Sequence, residues 1–258
     1  TSRDEWIMRA GVALLVAWLV LTIALPLWAL LSKSFQNADG GFIGLANYVR
    51  YFSTPTLYGS ILNSVGVAVI TTVIVIPLAF AYAYALTRSR MPFRGLFYAG
   101  AMLPLFAPSL LSAISLIYLF GNQGLLKGLL FGGSIYGPAG IVVAQVFYCF
   151  PHALIIAVTA LALADARLYE VADALGTKRS RIFRTVTLPG AKFGLINAAF
   201  VVFTLVVTDF GIAKVIGGQF NVLATDAYKQ VVGQQNFEMG AVVGMVLLVP
   251  AVPAPPPL

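Results

Sequence analysis

Apolar residues run in long blocks along this chain, and polar residues gather between the blocks. Five blocks, at residues 10–31, 60–86, 95–120, 139–164 and 190–212, reach or exceed the roughly 20 residues an α-helix needs to cross a bilayer. Each predicts a membrane-spanning helix, with Pro26, Pro77, Pro104, Pro108 and Pro151 as candidate kinks. A sixth block at 237–252 is thinner and runs into AVPAPPPL, where proline cannot continue a helix. The pattern predicts an all-α polytopic membrane protein of about six transmembrane helices, the last cut short, in a single domain over residues 1–258. The first block is longer than the apolar core of a signal peptide, and Leu30 and Leu31 precede Ser32 where a small-x-small cleavage site would fall; an uncleaved anchor is expected.

One segment departs from this pattern. Residues 165–189 read DARLYEVADALGTKRSRIFRTVTLP, the longest charged stretch of the chain. Leu168, Val171, Ala172 and Leu175 recur at the spacing of one helix face. Gly176 ends that helix and Thr177 is placed to cap a second. The second carries Ile182, Phe183 and Val186 on an apolar side, is basic through Lys178, Arg179, Arg181 and Arg184, and should end at Pro189. Two short helices hinged at a glycine between two spans make a docking element. A shorter amphipathic stretch, 42–52, suits the membrane surface.

Composition narrows the class. The chain is 60% hydrophobic and 10% charged, with mean hydropathy +0.91, against about 25% charge in soluble domains. The net charge of +7 does not point to nucleic acid. With the N-terminus in the cytoplasm, 11 of the 16 basic residues fall in cytoplasmic segments, which orients the spans and puts 165–189 inside. Cys149 is the single cysteine, so an internal disulfide is excluded; it reads as a small buried hydrophobe.

Candidate chemistry is sparse. Neither a G-x-x-x-x-G-K-[ST] phosphate loop nor an H-E-x-x-H pair is present, so no catalytic residue, cofactor or metal is assigned and no ATP hydrolysis by this chain is expected. His152, the lone histidine, has no ligand-type neighbour at metal spacing; it reads as a packed or path-lining residue hydrogen-bonded to a neighbouring helix. Asp209 lies near the outer end of the fifth span, either facing a solute path or as a helix-end carboxylate. Ser112 and Ser115 share a helix face; they, with Asn63, Ser64, Thr71, Thr72 and Ser109, suit interhelix hydrogen bonds or a path lining.

The order Glu170-Val171-Ala172, three residues, Gly176, nine residues, Val186-x-Leu188-Pro189 resembles the EAA signature, E-A-A-x3-G-x9-I-x-L-P, of the inner-membrane permease subunits of binding-protein-dependent ABC importers. Val171 and Val186 depart mildly from it. The resemblance implies that Glu170, Val171, Ala172, Gly176, Leu188 and Pro189 belong to coupling helices that dock on separate cytoplasmic ATPase subunits. It also implies a periplasmic or extracellular substrate-binding protein, a second permease half (a homodimer or a fused pair), and a multi-pass place in the bacterial inner membrane. Val207 to Phe237 resembles the ferric-iron and 2-aminoethylphosphonate branch, whose members often fuse two halves; this chain would then be the N-terminal half of a tandem permease. A phosphonate is the implied solute, with ferric iron, polyamine or another small solute as alternatives. An ion-coupled secondary transporter or channel, and a membrane assembly protein, are the readings of other classes.

Overall fold

The computed structural model describes residues 3–89, 91–163 and 166–251. In chain order the helices are α1 (Asp4–Ser34), α2 (Ala46–Ser53), α3 (Pro55–Arg88), α4 (Arg94–Phe106), α5 (Ser109–Phe120), α6 (Pro138–Ala162), α7 (Ala166–Ala174), α8 (Arg179–Thr208), α9 (Gly211–Ile216), α10 (Leu223–Tyr228) and α11 (Phe237–Leu248). No strand occurs among the described residues; Gln36 and Phe42 form an isolated bridge. The expected all-α polytopic membrane fold is therefore met. Helices α1, α3, α6 and α8 are each long and apolar enough to cross a membrane, and α4 with α5 could form a fifth crossing. The apolar run at 237–252 yields α11, whose 12 residues extend about 18 Å at 1.5 Å per residue. The proline-rich tail at 252–258 lies outside the described residues.

The chain divides into two compact units, residues 1–58 with 226–248 and residues 59–225 with 249–258. In the first, α1 starts within the polar N-terminal stretch, and none of its apolar window is buried. Trp6, Leu14, Leu21 and Trp28 stand bare on it; a stretch apolar on all sides is suited to lipid. Its end is fixed by Asn47 of α2, whose Nδ2 donates to the carbonyls of Ser34 (3.0 Å) and Gln36 (2.9 Å). Lys33 Nζ meets Glu238 Oε1 of α11 at 3.0 Å. A Cβ on Gly244 would come within 3.3 Å of Leu30, so the glycine sets how closely α11 approaches α1.

In the second unit α3, α6 and α8 carry most of the buried side chains. A Cβ on Gly194 of α8 would overlap Ala160 of α6, so these two backbones meet at a glycine–alanine contact. The buried face of α8 runs through Ile182, Thr187, Ala191, Gly194, Ala198 and Val202.

Three local expectations change. Residues 95–120 are not one rod: α4 and α5 meet at 102°. Ala107 (φ −103°, ψ 136°) and Pro108 (φ −56°, ψ 148°) are extended, because Pro108 disfavours helical backbone at the residue before it. Pro189 does not end a helix; α8 runs through it from Arg179 to Thr208. A wide π turn at Phe183–Thr187 precedes it, with the Leu188 N–H donating to the carbonyl of Phe183. That extra residue relieves the clash a proline ring makes with the turn before it. The same device, Val20–Ala24, precedes Pro26 in α1. Finally, Lys178 rather than Thr177 stands before the first turn of α8, without a side-chain cap.

Candidate functional site

The charged segment has two parts with opposite character. Asp165, its first residue, lies outside the described residues. Helix α7 follows and closes at Gly176, which takes φ +64°, a left-handed value that a side chain would strain. The Gly176 N–H donates to the carbonyl of Asp173 (2.9 Å) and the Thr177 N–H to that of Ala172 (3.0 Å). This pair is a Schellman motif, which satisfies carbonyls otherwise orphaned at a helix end. It also explains why Thr177 does not cap α8: its backbone belongs to the turn before.

On α7 the apolar stripe stands uncovered by its own unit. Leu168 is 55% exposed, Val171 57% and Leu175 76%, with Glu170 exposed beside them. Tyr169 and Ala172 face partly inward. The start of α8 behaves otherwise. Ile182 is buried, and the Phe183 ring packs on Phe80 (5.9 Å between centroids) and edge-on to Tyr84 (5.5 Å) of α3. Glu170, Val171, Ala172 and Gly176 thus gather at one exposed tip. Leu188 and Pro189 lie in the stem, beyond the wide turn of α8, with Leu188 still 42% exposed.

Tip and stem are joined by contacts the sequence pattern does not single out. The Tyr169 hydroxyl donates to Thr187 Oγ1 at 3.0 Å. The Arg88 guanidinium, at the end of α3, lies 4.2 Å from the centre of the Tyr169 ring. Arg88 Nη2 also donates to the carbonyl of Leu161 in the last turn of α6 (2.8 Å). A cleft of about 510 Å3 opens among the ends of α3, α4 and α6, lined by Arg88, Arg94, Tyr98 and Val158 among others. Arg88 is one of the 11 basic residues that the charge pattern assigns to cytoplasmic segments; its ring partner lies too far along the chain for spacing to reveal it.

The polar residues within the spans fall into separate roles. Asp209 follows α8 with extended backbone, and its Oδ1 accepts the Ile212 N–H (2.9 Å), so it caps the turn into α9. The His152 ring lies tilted against Tyr148 (5.4 Å between centroids, 54° between planes), and its Nδ1 is 3.3 Å from the Tyr148 carbonyl. Ser112 is buried with no hydrogen-bond partner for its hydroxyl, whereas Ser115 is exposed. Asn63 donates to the carbonyl of Asn221 (2.8 Å), and Ser64 Oγ accepts the Leu223 N–H (2.8 Å). These last two hold the 217–222 loop and the start of α10, a packing role. Among the described residues no group of three His, Cys, Asp or Glu could hold a metal ion.

Residues 73–254 match the family of binding-protein-dependent transport system inner membrane components. The chain is 24% identical over 256 residues to the spermidine/putrescine transport system permease protein PotB of Haemophilus influenzae, covering 93% of this chain and 89% of that protein. It is 29% identical over 199 residues to the thiamine transport system permease protein ThiP of Brucella suis, covering 74% of this chain and 35% of that longer protein. In fold it is similar to a crystal structure of a bacterial alginate ABC transporter in complex with an alginate pentasaccharide-bound periplasmic protein. The TM-score there is 0.77 at 16% identity, covering 98% of this chain and 93% of that one. The chain belongs to the family of binding-protein-dependent transport system inner membrane components, the permease subunits of ABC importers. It is accordingly a multi-pass membrane protein and a transport subunit.

Proposed function

We propose that this permease takes its power stroke through the α7 tip. One observation carries the reading: Leu168, Val171 and Leu175 stand exposed beside Glu170 on a helix closed by a fixed left-handed glycine. An apolar stripe that its own unit leaves bare, flanked by a carboxylate, fits a cleft on a separate protein. That partner is a cytoplasmic ATPase, which places the N-terminus and the 165–189 segment inside the cell, in keeping with the basic residues there. A second permease half, either another copy or a fused chain, completes the path, and a soluble binding protein delivers solute from outside. Asp209, Ser112, Ser115 and His152 are the residues of this chain proposed to meet the path.

The solute is a small hydrophilic one, with 2-aminoethylphosphonate first. Supporting this, the 207–237 stretch resembles that branch. The chain is also 22% identical over 251 residues to the putative 2-aminoethylphosphonate transport system permease protein PhnU of Salmonella typhimurium, covering 90% of this chain. A polyamine is the second choice, on the similarity to PotB.

The test is uptake of 2-aminoethylphosphonate, ferric iron, spermidine, putrescine, molybdate and thiamine in cells carrying the transporter, alongside ATPase activity of the purified complex. Glu170→Lys and Gly176→Pro should abolish uptake while the protein still inserts in the membrane. Normal uptake in both variants would sink the coupling assignment. Uptake of spermidine but not of the phosphonate would reassign the solute.

A further inference from the structure

We propose that Arg88 is a positioning residue that ties the coupling tip to the ends of two membrane helices; the proposal rests on the reading of α7 as the ATPase contact. A push delivered to α7 must reach the spans. Its covalent route toward α8 leaves the helix at Gly176 and passes through the extended Lys178, so no continuous helix joins the two. Apart from the partly inward Tyr169 and Ala172, the described side chains of α7 are exposed. The stiffer route is therefore the side chain that turns inward. Tyr169 bonds the stem of α8 through Thr187 and receives the Arg88 guanidinium on its ring face.

Arg88 suits this place chemically. A guanidinium is planar and always charged, so one side can stack on a ring while an edge N–H donates to a carbonyl. Here the edge bond goes to Leu161, in the last turn of α6, where helix carbonyls lack partners within the helix. The cleft among the ends of α3, α4 and α6 leaves those ends without continuous packing, so the arginine spans a gap that apolar contact does not close. One residue of α3 thus touches α6 and α7 at once, and through Tyr169 it reaches α8. A lysine could make the ring contact or the carbonyl bond, but its compact ammonium does not offer a flat face and an edge together.

The experiment uses the full transporter with its ATPase, in a Cys149→Ser background. Spin labels are placed at Asp173→Cys on α7 and Ala81→Cys on α3, and distances are read by pulsed electron resonance without nucleotide and after trapping with Mg-ATP and vanadate. In the parent the distance distribution stays narrow in both states, because tip and span move together. Arg88→Ala and Tyr169→Leu broaden it and shift its mean on trapping, because the tip follows the ATPase while α3 lags. Tyr169→Phe keeps the ring and stays near the parent, and Arg88→Lys falls between. The double variant Arg88→Ala/Tyr169→Leu shifts no further than either single one, since both remove one connection. Parent-like distributions in Arg88→Ala and Tyr169→Leu, with the ATPase still bound, would overturn the brace alone. Failure of the parent complex to retain an ATPase would overturn the coupling reading and the brace with it.

Discussion

The Thr177 amide and the Ala172 carbonyl, 3.0 Å apart, close α7 across a glycine whose φ is +64°. Everything exposed on the tip is aimed by this turn. Replacing Gly176 by alanine forces a Cβ into left-handed backbone at about 1–2 kcal/mol, and asparagine should cost less because its side chain tolerates that region. Hydrogen exchange over residues 166–178 in nanodiscs checks the order: slowest for glycine, then asparagine, then alanine. An alanine variant as protected as the parent would show the turn to be unstrained.

Phe183 anchors the stem on Phe80 and Tyr84. Because it is half-buried, Phe183→Ala should cost about 2 kcal/mol, below the range for a fully buried ring. Phe183→Leu should cost less, since most of the apolar volume stays. Thermal unfolding of the purified protein followed by intrinsic fluorescence measures both, and equal melting temperatures for parent and alanine variant would remove the anchor from the account.

Gly194 permits the approach of α8 to α6 at Ala160. Gly194→Val should lower stability by about 1–3 kcal/mol through overpacking and reduce the amount of protein recovered from membranes. Gly66 of α3, where an added Cβ meets nothing within 4 Å, is the control. Gly66→Ala should leave recovery unchanged or raise it, because alanine favours a helix interior by about 1 kcal/mol over glycine.

Lys33 and Glu238 join α1 to α11 at 3.0 Å, yet their side chains keep 33% and 15% of their exposure. A double-mutant cycle of Lys33→Ala and Glu238→Ala should give a coupling of only about 0.5 kcal/mol, falling as salt is raised. A coupling several times larger and indifferent to salt would mean the pair is shielded from solvent.

Much of the fold could be read from apolar block length alone, as in α3 and α6, because a helix that must be apolar over its whole length leaves a continuous signal. The tip of 165–189 was legible for a related reason: Gly176 and the Leu168–Leu175 stripe act locally, within one helix and its turn. The 102° break was announced by Pro104 and Pro108, but whether a proline kinks, breaks or is absorbed depends on the turn before it. Pro77 and Pro151 are absorbed within α3 and α6. The Arg88–Tyr169 contact is tertiary and leaves no periodic trace in the sequence.

The wide turn at Phe183–Thr187 has a consequence for the interval between Gly176 and the Leu-Pro pair. Buried positions on α8 step by five residues from Ile182 to Thr187, then by four and three to Ala191 and Gly194. An ordinary turn would bring Phe183 or Arg184 onto that face instead of Ile182. Narrowing that turn to ordinary helix with every residue kept would swivel the tip by about 100° relative to the spans, whereas removing one residue from 183–186 would set Ile182 four residues before Thr187, still on the buried face. The wide turn is in effect an angular setting: it decides which way the tip faces.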